Sequence, residues 1–152
     1  MSMDEKEELL EIYKLHAGLA DSVSRRRDAT NRFYLLLMSG LSVFFSALLQ
    51  FRNGVPLSVL MVSFGLIGTP LAVAWYIHIR SYRQLNSGKF KPLHELEEKL
   101  AYPFFKREWE LLEEGGNPGK YWKLTVVETF VPGIFFVAFL ALLLIGIYHL
   151  LW

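Results

Sequence analysis

The chain has 152 residues, enough for one domain, yet 53% are hydrophobic and 15% aromatic, with a mean hydropathy of +0.28. A water-soluble protein of this size cannot hide so much apolar surface in a single core. The formal net charge of +1 says little as a sum, but the charges gather in two polar blocks between apolar runs, and the absence of cysteine excludes disulfides, thiolate nucleophiles and sulfur-rich metal sites.

The N-terminal block, residues 1–32, is too charged for a cleaved signal peptide, so every apolar segment is expected to stay in the protein. Met3 to Asn31 reads as a helix: Leu9, Ile12, Tyr13, His16, Leu19 and Val23 recur at spacings of three and four and form one stripe. Its start is acidic (Asp4, Glu5, Glu7, Glu8) and its end basic (Arg25, Arg26, Arg27), which suits the helix dipole. Two uses of the stripe are open: packing on the rest of the domain, or a coiled-coil-like contact between subunits.

Residues 33–51 and 55–79 are apolar runs long enough to cross a hydrocarbon layer of about 30 Å, joined by Arg52, Asn53 and Gly54 in a tight turn. A third run covers 129–151. Lipid offers no hydrogen-bond partners, so each run must be helical. The polar segment 80–127 between the second and third runs reads as two helical pieces, His94 to Leu100 and Pro103 to Glu114, followed by a turn at Glu114-Gly115-Gly116-Asn117-Pro118-Gly119. The expected fold class is an all-α membrane protein. It has three transmembrane helices and a helical cytoplasmic domain formed by the N-terminal helix and the segment between spans two and three.

Orientation follows from the flanks. Arg25, Arg26, Arg27 and Arg32 precede the first span and Arg80, Arg83, Lys89 and Lys91 follow the second, whereas Arg52 alone sits between them. The positive-inside rule puts both basic flanks and the N-terminus in the cytoplasm and the C-terminus outside. Trp75, Tyr76, Tyr121, Trp122, Tyr148 and Trp152 fall where interfacial aromatic belts form.

Three groups of residues are candidates for function, each with a plainer reading beside it. Arg25, Arg26, Arg27, Arg32, Arg80, Arg83, Lys89 and Lys91, with Lys123 from the other side, form a basic rim. It reads either as attraction to anionic lipid headgroups or as an anion site for a phosphate-bearing ligand. Gly65, Gly68 and Ala72 in the second span, like Ser42 and Ser46 in the first, let helices approach closely. Pro70 removes a helix hydrogen bond, so Gly68-Thr69-Pro70 is expected to kink or locally unwind. Gly68 and Pro70 thus read as packing residues or as a gate. Glu128, at the mouth of the third span, reads as a gating carboxylate or as a charge favoured at a helix start.

Catalytic patterns are poor. His94 and Glu98 are four apart, but two ligands without a third do not make a metal site, and 115–120 lacks P-loop spacing. The expectation is a protein that is not an enzyme, with no catalytic residues, no metal and no cofactor.

The stretch Trp75-Tyr76-Ile77, Arg80 to Phe90, His94-Glu95-Leu96-Glu97, Pro103-Phe104 and Glu108-Trp109, then Tyr121 and Val127-Glu128 before Pro132, resembles the RipA-like family of small bacterial integral membrane proteins. The general layout is similar to that of membrane effectors of Hailong-type anti-phage systems. That resemblance implies a tetrameric channel of the bacterial inner membrane whose cytoplasmic part binds a single-stranded oligonucleotide made by a nucleotidyltransferase. The functional expectation is therefore a homo-oligomeric ion channel in anti-phage defence, gated from its cytoplasmic side. Three helices are too few to enclose a pore alone. The alternatives are a non-conducting scaffold that recruits a cytoplasmic partner through residues 3–31, and an accessory transporter subunit.

Overall fold

The computed structural model describes residues 3–51, 54–100, 102–117, 119–120 and 124–152. Its elements are four α-helices, α1 (Met3–Gln50), α2 (Leu57–Glu97), α3 (Phe104–Leu111) and α4 (Leu124–Leu151), and a 3-10 turn at Glu113–Gly115. There is no strand among the described residues. Helices α1, α2 and α4 each contain a stretch long and apolar enough to cross a membrane, and α4 is the most apolar.

The polar block and first span, read above as separate segments, are one helix. Nothing between Asn31 and Phe33 breaks a backbone ladder: a change from charged to apolar side chains leaves the i to i−4 hydrogen bonds intact. In the same way α2 runs on past Ile79 as far as Glu97, so the helix expected over 94–100 is its last turn. It also runs unbroken through Gly68-Thr69-Pro70, and the local unwinding expected there does not occur. Proline costs about 3 kcal/mol inside a helix. Tight packing on both sides, at Gly68 and at fully buried Ala72, holds the flanking turns.

The chain divides into two compact units. Met1–Asp28 and Arg80–Val127 form a polar unit; Ala29–Ile79 and Glu128–Trp152 form an apolar unit. In the polar unit, Tyr13, Ala20 and Val23 of α1 face inward, and Leu93 and Glu97 of α2 are fully buried. The N-terminal stripe is accordingly divided. Ile12 and Leu19 are exposed and share a second face with Leu15, which is 62% exposed.

The apolar unit is built around Tyr34, Met38, Phe64, Ala72, Trp75, Ile79 and Phe139. Trp75, expected in an interfacial belt, is instead only 3% exposed; its indole N–H donates to Asn31 Oδ1 at 3.0 Å, and its ring stacks on Tyr34 at 5.8 Å. An indole in a dry core needs a partner for that N–H, and Asn31 supplies one.

Candidate functional site

The polar unit is organised by one carboxylate. Helix α3 begins after Pro103, whose side chain cannot cap it. Glu97, at the end of α2, fills that role. Its Oε1 accepts the backbone N–H of Phe105 at 2.8 Å, and its Oε2 accepts that of Lys106 at 3.0 Å. The hydroxyl of Tyr13 on α1 donates to Oε1 at 2.9 Å. A buried carboxylate is tolerated only when such donors replace its water, and here three do so. Around it stand Phe105, 6.4 Å from the Tyr13 ring, and Phe90, 5.7 Å from Phe105. Burial, with the adjacent carboxylate accepting its O–H, pushes the Tyr13 phenol from 10.0 up to about 12. Sequence reasoning missed Glu97. The available signal was a helix start whose cap position is proline, a few residues after an acidic cluster.

The basic residues expected to form a rim are placed as follows. Arg25, Arg26, Arg80, Arg83 and Lys91 are exposed in the polar unit, and Arg27 and Lys89 are half-buried there. Arg25 pairs with Asp21 one turn away. Arg32 is exposed and belongs to the apolar unit. Lys123, with Tyr121 and Trp122, lies outside the described residues. His94 and Glu98 do not converge on a common point. His94 meets the Phe90 ring, while Glu98 pairs with Lys106 at 2.9 Å, a hydrogen bond that holds its carboxyl below the usual range. No cluster of three metal-ligating side chains exists among the described residues.

The expected gating residues are in the apolar unit, where α2 crosses α4. A Cβ on Gly65 would lie 2.7 Å from the Leu143 backbone, and one on Gly146 would lie 2.9 Å from Val62 N. One on Gly68 would enter the Phe139 ring. Small residues at these points let the two backbones nearly touch, the means by which helices associate in lipid without a hydrophobic driving force. Pro70 is exposed. Glu128 is half-buried in the second turn of α4, with Pro132 one turn further on and fully buried. Beside this crossing Ala72, Val73, Tyr76, Pro132, Gly133 and Phe136 line a groove of about 300 Å³ whose walls are almost wholly apolar. Near Asn31 a second polar contact joins α1 to α2, Tyr34 Oη and His78 Nδ1 at 2.8 Å.

Ser42 and Ser46 point back along α1, bonding the carbonyls of Met38 at 2.9 Å and Ser42 at 3.0 Å. Such back-bonding is how a hydroxyl is satisfied at membrane depth.

Three long apolar helices, two of them brought together by glycine, define a helical integral membrane protein. The chain matches the model of the octameric membrane protein family, 8xMP, over residues 10–148, and it belongs to that family. No curated protein and no solved structure matches it. The family is described as octameric, so the count of four implied by the resemblance to Hailong-type effectors is not carried forward.

Proposed function

We propose that the protein is a homo-octameric channel of the bacterial inner membrane, with its polar unit and N-terminus in the cytoplasm and its C-terminus outside. The observation that carries this reading is membership of an octameric membrane family by a chain with three spans. One copy encloses no pore, whereas eight contribute twenty-four helices around an axis. The arginine-rich flanks support the orientation. Exposed Arg26, Arg80 and Arg83 within the polar unit support an anionic, phosphate-bearing ligand there. A single-stranded oligonucleotide is the member of that class that the resemblance to anti-phage effectors implies. A ligand that prefers the closed state holds the gate shut by its differential affinity, and its loss opens the path. No catalytic role is proposed.

The test is recording from purified protein in planar bilayers, with native mass measured on the same preparation. Unitary currents from an eight-copy particle are expected. Currents that fall when a short oligonucleotide is added, less so at high salt and not at all in an Arg26→Glu/Arg83→Glu variant, would support the ligand. An eight-copy particle that never conducts would leave the scaffold reading, which the exposed face of Ile12, Leu15 and Leu19 favours.

A further inference from the structure

The three spans differ in what they show on the side away from their own core. Along α1 the residues Met38, Leu41, Phe45 and Leu48 turn inward. On the far side, at intervals of seven, seven and four, stand Arg32, Ser39, Ser46 and Gln50, all exposed. Those intervals keep four positions on one face of an α-helix over its whole crossing. The outward face of α4 has no such residues: from Phe130 to Ile147 it shows only Phe, Gly, Ala, Val, Leu and Ile. That of α2 carries a single serine, Ser63, between its start and Tyr76, and that hydroxyl is spent on the Val59 carbonyl at 2.8 Å. Ser46 is likewise bonded to the Ser42 carbonyl at 3.0 Å, but the side chains of Ser39 and Gln50 make no hydrogen bond among the described residues. A free amide and hydroxyl are costly against hydrocarbon and are at no disadvantage against water.

We infer that the face of α1 bearing Ser39, Ser46 and Gln50 lines a water-filled path enclosed by the assembled copies, while the outer face of α4 meets lipid. This rests on the channel reading and names the helix that forms the path. Val43, between the two serines on the same face, supplies the narrow apolar stretch at which such paths close by losing water.

The chain contains no cysteine, so single substitutions report on one position each. Ser39→Cys and Ser46→Cys change one atom; Val137→Cys on α4 and Leu41→Cys in the core serve as comparisons. In proteoliposomes, a membrane-impermeant charged thiosulfonate should modify the two serine-derived thiols at least about tenfold faster than the other two, since only a thiol in contact with water ionises. The same reagent should reduce the current through those two variants. Conduction by the unmodified protein, with Ser39→Cys and Ser46→Cys as inert as Val137→Cys, would overturn this inference and leave the channel standing. So would a disulfide formed between copies at position 39 that excludes the reagent. Rapid modification in a protein that carries no current would sink the channel and keep the water-exposed face.

Discussion

Glu97 shows how one side chain can substitute for a missing local signal. A helix that starts at Pro103 has orphan N–H groups and no capping hydroxyl, and the carboxylate that satisfies two of them comes from the preceding helix. Because the carboxylate is fully buried, its removal leaves those donors dry and the Tyr13 hydroxyl unpaired. Glu97→Ala should therefore destabilise the polar unit by about 3 kcal/mol. Amide hydrogen exchange in detergent would report this as lost protection over 104–111, with protection of α4 unchanged. The Tyr13 phenol is held neutral in the folded protein up to about 12, against 10.0 when unfolded. The folded state thus binds the proton more tightly. The stabilisation is complete below pH 10 and disappears as pH rises towards 12. Tyr13→Phe should abolish that alkaline loss. Thermal unfolding followed at a series of alkaline pH values would show it, and an identical alkaline slope in the variant would count against the assignment.

At the scale of elements, the crossing of α2 and α4 is the contact that depends most on sequence. Gly65, Gly68 and Gly146 lie where a Cβ would meet backbone or an aromatic ring. Gly133 and Gly40 sit in open space and carry no such requirement. Gly68→Val forces a branched side chain into the Phe139 ring, an overpacking worth about 3 kcal/mol. Gly133→Ala should have little effect, and the difference in melting temperature between the two variants measures the contact. Proline matters less than its reputation suggests. Pro70 removes one donor from α2, and next to it the Thr69 hydroxyl is buried with no hydrogen-bond partner among the described residues. Even so the helix continues through 68–70, with Gly68 packed close against Phe139 of α4.

At the scale of the whole molecule, a unit of three spans leaves much of its apolar surface uncovered. Phe33 and Phe44 on α1, like Phe130 and Val137 on α4, are all more than half exposed. In water such a surface would aggregate; in a bilayer it is covered by lipid or by further copies. The polar unit is the reverse, with ion pairs on its outside (Lys106 with Glu98, Arg107 with Glu110, Lys120 with Glu113) and a carboxylate in its centre. Each exposed pair contributes little to stability. They keep the outer surface of that unit hydrated.

The fold class and the three helices long and apolar enough to cross a membrane were legible in the amino-acid order alone. Hydrocarbon solvates no peptide group, so length and apolarity suffice to dictate a helix. The close approach at Gly65 and Gly68 was legible for the same reason, since residues without bulk at intervals of three have few other uses in lipid. Local pattern said nothing about which carboxylate caps α3, because Glu97 and Pro103 meet only when the chain turns between them. It also gave no warning that Trp75 would pack inside against Tyr34, or that Ile12 and Leu19 would part from Tyr13 and Val23. A helical stripe states which residues share a side, but only the tertiary contacts decide which part of that side is covered. The direction in which Ser39 and Gln50 face was settled likewise, by Met38, Leu41 and Phe45 having claimed the opposite side of α1 for the core.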